Sequence, residues 1–347
     1  MILVYFCRNL NEHMKYKILF LLGLFLALGV VSCGSHSSGH AAAGISDNSK
    51  ATVDIPDFNA DSAYAYVAKQ TAFGSRVPGT AAHAACARWI IRKLKSFADT
   101  VMVQKFKART YDGVLRSGEN IIGSFHPEYQ NRVLLMAHWD SRPFSDHDPN
   151  KANWNKPIMA ANDGASGVGV LLEMARQFHL HHPNVGIDIV FFDLEDWGPP
   201  AYLHLQGKEN SWALGAQYWA RKAKASGYSA TFGILLDMVG AKDATFLKEY
   251  YSRQYARYYV RLIWRTARGL GYDNYFPNRD GYPIDDDHLY VNKIAGIPSV
   301  DIIQLDPDSP NGTFWKYWHT QGDTLDKIDK QTLKAVGQVL LTVIYGM

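Results

Sequence analysis

Beyond about residue 56, apolar positions recur with two periods that take turns along the chain. Helical spacing over 57–73 and again over 80–97 predicts two helices, parted by the breaker pair Pro78-Gly79. Alternation over 100–109 predicts a strand that 119–125 can pair with. Strand and helix patterns then succeed one another. Strands are expected at 133–139, 187–194, 232–239 and 299–304, and helices at 165–181, 211–225, 251–270 and 331–345. Runs such as Val133-Leu134-Leu135-Met136-Ala137 are apolar throughout, as strands covered on both faces are. The expectation is an α/β fold of three αβα layers around a mixed, mostly parallel, twisted sheet. No internal repeat and no second linker divides residues 56–347, so they read as one domain.

In such a fold ligands bind beyond the carboxyl ends of the strands. His138, the pair Glu195-Asp196, and Asp237 all fall there, and residues 140–160 and 196–211 are long loops rich in Pro, Asp, Trp and Gly. Asp163 stands in Asn162-Asp163-Gly164 at the start of the 165–181 helix, and His319 in Trp318-His319-Thr320. Imidazole and carboxylates converging on one sheet edge are the ligands a zinc enzyme needs, with one coordination position left open for chemistry. Singly, each has a plainer reading: an Asp before Gly is usually a turn residue, a lone His structural, adjacent acids a solvated pair. The ordered set carries the argument. Cys86 lies among Ala82, Ala85, Trp89 and Ile90 at helical spacing, which makes it a core residue rather than a nucleophile.

Composition changes the picture mainly at the N-terminus. Lys15 and Lys17 precede the apolar run Ile18–Val31, short for a membrane span, which leads to Val30-Val31-Ser32-Cys33. Small residues before a cysteine resemble the lipobox of bacterial lipoproteins, with Met14-Lys15-Tyr16-Lys17 as the basic leader. Residues 1–33 are therefore expected to be a lipoprotein signal ending at Cys33, and 34–55, rich in Ser, Gly, Ala and His up to Lys50, a flexible tether. A signal cut without lipidation is the plainer alternative. The chain would sit in a bacterial cell envelope, facing the periplasm or outer membrane, with the lipid anchor as its contact with the membrane. The net charge is +3, and nothing in it argues for nucleic acid or an anionic surface.

Taken in order, Asn162-Asp163-Gly164, Glu195-Asp196, Leu235-Leu236-Asp237, Asp285-Asp286-Asp287-His288 and Trp318-His319-Thr320 resemble zinc-dependent aminopeptidases of the bacterial leucyl type. Within them the set is most similar to the animal-type glutaminyl-peptide cyclotransferases, in a bacterial lipoprotein version; Arg76-Val77-Pro78-Gly79-Thr80 also resembles a segment of that family. The resemblance implies one zinc per chain held by Asp163, Asp196 and His319, with Glu195 as general base. It implies that Asp237 and Asp286 form an acidic hydrogen-bonded group with Glu195, and that Trp318 packs on the substrate side chain. His138, a metal ligand in two-zinc relatives, is expected near the substrate and the zinc but not bound to the metal. Two departures stand out. Asp196 replaces the Glu of animal members, and the loop 197–211 is unlike theirs, so a second pocket tryptophan could be Trp197 or Trp212.

The implied reaction is cyclisation of N-terminal glutamine of peptides and proteins to pyroglutamate with release of ammonia, and more slowly of glutamate, which loses water. The alternative is an aminopeptidase with two zincs on His138, Asp163, Asp196, Asp237 and His319. Two features lean against it. Asp286 is no ligand in that scheme, and close carboxylates beside Asp237 cannot all ionise cheaply. Trp318 would also wall a small slot suited to a glutamine side chain.

Overall fold

A computed structural model of the chain describes residues 54–347 apart from 206–208. The expected signal with Cys33, and the tether up to residue 53, lie outside the described residues. Thr52–Met347 forms one compact unit.

Two helices lead, α1 (Ala60–Thr71) and α2 (Ala81–Lys95), each started by a side-chain cap: Asn59 accepts from the Ser62 amide and Thr80 from the His83 amide. Strands β1 (Thr100–Arg109) and β2 (Leu115–Phe125) form an antiparallel ribbon. There follow β3 (Arg132–His138), α3 (Ala165–Leu180), β4 (Gly186–Phe192), α4 (Leu214–Ser226) and β5 (Phe232–Asp237). Helices α5 (Tyr250–Tyr255), α6 (Arg257–Gly269) and the single turn α7 (Asp287–Tyr290) precede β6 (Ser299–Ile303), and α8 (Lys330–Tyr345) closes the chain. The sheet order is β1-β2-β4-β3-β5-β6. The strands β4, β3, β5 and β6 run parallel, and the β1–β2 ribbon joins them antiparallel through β2 against β4. This is the mixed, mostly parallel sheet expected.

The two faces of the sheet are packed differently because successive side chains on a strand point opposite ways. Val133, Leu135 and Ala137 of β3 enter the larger core with α1, α2, α3, α6 and α8. Leu134 and Met136 enter a smaller core with α4 and with Tyr290 and Val291. Every residue of β3, β4, β5 and β6 is buried. Cys86 is wholly buried in the larger core, and burial pushes its thiol up to about 11, so it is inert.

Two elements depart from expectation. The single helix expected over 251–270 is two, broken at Ala256 (φ −131°), where the Glu249 carboxylate caps α5 and the Ala256 amide closes it on Ser252. Residues 287–295, unassigned from sequence, form α7 and then a π-helical turn Val291–Ala295. Among the described residues no helix is long and apolar enough to cross a membrane.

Candidate active site

The carboxyl ends of β4, β5 and β6, the start of α3, the N-cap of α7 and the 313–319 segment meet at a cavity of about 450 Å³. Its lining includes Asp163, Glu195, Asp196, Asp237, Asp286 and His319, with Trp212, Met238, Ile284, Phe314 and Trp318 as the apolar wall. Parallel strands put their last residues at one edge, which is why positions far apart in sequence share this site.

Local backbone geometry aims the side chains. Leu194 (φ 57°), Met238 (φ 49°) and His319 itself (φ 55°) adopt the left-handed conformation that non-glycine residues avoid, and each is at or beside a site residue. After β4 the chain turns over Asp140, whose two carboxylate oxygens accept the amides of Glu195 and Asp196, each at 3.2 Å. The Asn162 and Asp163 amides are held in the same way by the Asp323 carboxylate, at 2.7 and 3.1 Å. A side chain at Gly164 would bring its Cβ within 2.4 Å of His138 Nε2, so only glycine lets Asp163 approach that imidazole.

Three of the expected ligands come together. His319 Nε2 lies 3.5 Å from Asp163 Oδ2 and 3.3 Å from Asp196 Oδ1. All three residues are buried, and Oδ2 of each aspartate has no hydrogen-bond partner. Zinc bonds of ~2.0–2.2 Å at tetrahedral angles separate ligand atoms by roughly 3.3–3.6 Å, so spacing, burial and donor type fit the ion. Behind His319, Asp146 Oδ1 faces Nδ1 at 3.6 Å, the place of a carboxylate that orients a ligand imidazole. Burial and the positive Arg142 push His319 down to about 3, so its nitrogens are free of a second proton.

Arg142 organises this side of the cavity. Wholly buried, it grips Asp146 with two bonds of 2.7 Å. It also reaches Asp196 Oδ1 at 3.3 Å and the carbonyls of Gly198 and Pro199 at 3.4 and 3.3 Å. Its guanidinium lies 4.7 Å from the ring of Trp212.

His138 is buried beneath the cavity rather than on its wall. Its Nε2 is 3.0 Å from Asp163 Oδ1 and 3.2 Å from Asp237 Oδ1, and Nδ1 is 3.6 Å from Asp140. Expected among the substrate-contacting residues, it is not part of the cavity lining, and the carboxylates of Asp163 and Asp237 lie against its Nε2. Trp197, the other residue expected there, is not part of the cavity lining either. It packs with Phe106, Leu194 and Leu214, with Arg116 3.9 Å from its ring. Trp212 reaches the cavity instead, its ring fitting against Gly198, where a Cβ would meet it at 1.9 Å. Trp318 stacks on His319 with centroids 3.7 Å apart.

The acids beside the triad have their pKa values raised, chiefly by burial. Burial raises Glu195 well above its ordinary value, with His138 opposing and the charges of Asp196, Asp286 and Asp287 adding to the rise. Burial pushes Asp237 up to about 6, against its bond with His138, and burial with the Asp237 charge pushes Asp286 to about 7. Asp163 goes the other way: burial raises it, but the bond to His138 holds it below the usual carboxylate range. Behind Asp286, His288 Nε2 contacts Glu249 at 3.1 Å and Nδ1 faces Asp301 at 3.5 Å. Asp140, Asp146, Arg142 and this buried group were not singled out from sequence.

Residues 120–344 match peptidase family M28. A Tannerella forsythia glutaminyl cyclase of solved structure is 52% identical, the match covering 84% of this chain and all of that one (100%), with a TM-score of 0.82. A Zn-dependent exopeptidase from Parabacteroides distasonis is 53% identical over 85% of this chain and 100% of that one, TM-score 0.82. The glutaminyl-peptide cyclotransferase of Bos taurus is 26% identical over 298 residues, 76% of each chain. The family match and the cyclases agree with the cavity's contents, and the chain belongs to peptidase family M28 and, within that zinc aminopeptidase-like group, to the glutaminyl cyclases.

Proposed function

We propose that this enzyme cyclises N-terminal glutamine of peptides and proteins to pyroglutamate with release of ammonia, and more slowly glutamate with release of water, using one zinc per chain on Asp163, Asp196 and His319. One observation carries the reading. The cavity sets three buried carboxyl groups of raised pKa, Glu195, Asp237 and Asp286, beside a ligand triad, with the Trp318 ring in its wall.

The reaction is intramolecular. The free α-amine nitrogen attacks the side-chain carboxamide carbon, and the carbon–nitrogen bond of the amide breaks. Zinc bound at the triad supplies a Lewis acid for the carboxamide oxygen. Glu195 takes the proton from the attacking nitrogen and returns it to the departing one, which leaves as ammonia; its raised pKa suits both transfers. Asp237 and Asp286, with protons to share, orient the amine and the leaving nitrogen. Trp318, with Trp212 on the other wall, keeps the side chain folded for attack, which supplies proximity. No water is consumed.

One observation favours a second reading. His138, Asp163 and Asp237 also bring ligand atoms within 4.8 Å of one another, as a two-zinc aminopeptidase requires. Incubating the purified protein with a glutamine-initiated peptide and an aminoacyl anilide separates the two. Ammonia with a pyroglutamyl peptide and no anilide hydrolysis is expected; released N-terminal residues without ammonia would establish the aminopeptidase.

For location, the basis is sequence alone. The basic leader, the apolar run Ile18–Val31 and the lipobox support lipidation at Cys33. The domain 56–347 would then be tethered through 34–55 in the envelope, in the periplasm or facing the outer membrane.

A further inference from the structure

The surface of α6 carries charge of one sign only. It carries Arg257, Arg261, Arg265 and Arg268 and no acid, while Val260, Ile263, Trp264 and Ala267 bury its other face. Like charges four residues apart repel, and Arg257 also stands at the helix end whose dipole disfavours a cation. Three other guanidiniums are paired: Arg116 with Asp112 at 2.8 Å, Arg176 with Glu173 at 2.8 Å and Arg253 with Asp280 at 2.9 Å. Among the described residues no ion pair relieves Arg261, Arg265 or Arg268.

These three arginines line one concavity of about 380 Å³, joined by Lys248 from a separate segment. Asp273 is its one acid. The floor is aromatic: the buried rings of Trp264 and Phe276 meet edge to face at 5.4 Å. Lys248 is placed by a hydrogen bond to Asn278 Oδ1, which leaves its charge unneutralised.

We propose that this concavity binds a compact phosphate-bearing ligand of the diphosphate class. Guanidinium forks match phosphate oxygens in pairs, and three of them with an ammonium exceed what one phosphate group needs. Repulsion retained on the helix is the usual mark of a surface kept for a ligand rather than for stability. The site is separate from the catalytic cavity and does not depend on the glutamine reading.

The test titrates the zinc-loaded full chain with inorganic pyrophosphate by calorimetry, against the double variant Arg261→Gln/Arg265→Gln, with phosphatidylglycerol vesicles in a parallel sedimentation arm. The expected result is one binding site per chain, weakened at least ~10-fold in the variant, since each lost charge-assisted bond is worth about a factor of ten. Glutamine cyclisation and fold are expected to be unchanged in the variant. Heat from metal chelation would be equal in both proteins, so equal binding overturns the proposal. Absence of binding overturns it as well, and binding to vesicles alone replaces the enclosed ligand with a membrane surface.

Discussion

Glu195 and Asp196 are adjacent, yet the turn above Asp140 sends one carboxylate toward the acid cluster and the other toward His319. Their substitutions should therefore separate cleanly. Glu195→Gln is expected to keep zinc and lose at least ~100-fold in turnover, the usual size of a general-base effect. Asp196→Ala is expected to lose zinc and, with it, activity. Metal analysis beside an ammonia assay reads both, and a Glu195→Gln enzyme of near-normal rate would refute the assignment. The tryptophans teach the complementary lesson. Trp197 and Trp212 are indistinguishable as candidates in the sequence, and the choice is made by Gly198, which offers a flat seat to the ring of Trp212.

At the scale of elements, α7 is a single turn whose N-cap is Asp286, the side chain accepting the Asp287 amide at 2.5 Å. One residue thus starts a helix and faces the cavity. Asp286→Ala should nearly abolish pyroglutamate formation at unchanged zinc content, with a loss of about 1 kcal/mol from the missing cap. Asp286→Asn keeps the cap and a hydrogen-bond donor and should be less harmful; an alanine variant that forms pyroglutamate at the full rate would refute the role given to Asp286. This region also marks where the sequence stops being legible. The apolar parallel strands and their terminal His138, Glu195 and Asp237 could be read, because burial on both faces leaves a continuous pattern. The α5–α6 break and the 287–295 turns could not. What fixes them is tertiary: Glu249 caps α5 and bonds His288, 39 residues away, while Ser252 receives the Asp301 amide. Arg142 and Asp196, 54 residues apart, are likewise joined only by folding.

For the molecule as a whole, location rests on Cys33. Cys33→Ala should leave the protein soluble or uncleaved, and a variant that is cleaved and still fractionates with the membrane would refute lipidation. Net charge, for its part, was a poor guide, since +3 overall hides the four unrelieved arginines of α6. Arg142 has the widest reach. The same guanidinium that braces Asp196 and, through Asp146, His319 also holds the Gly198 and Pro199 carbonyls and faces Trp212. Farther along, Trp154 and Tyr202 stack at 5.2 Å and tie that segment to the neighbouring loop. Linkage makes such a connection reciprocal. Whatever steadies this span of chain tightens the grip on the ion, and the ion in turn steadies the span. Substrate chamber and metal centre therefore ripen together, as two faces of one equilibrium.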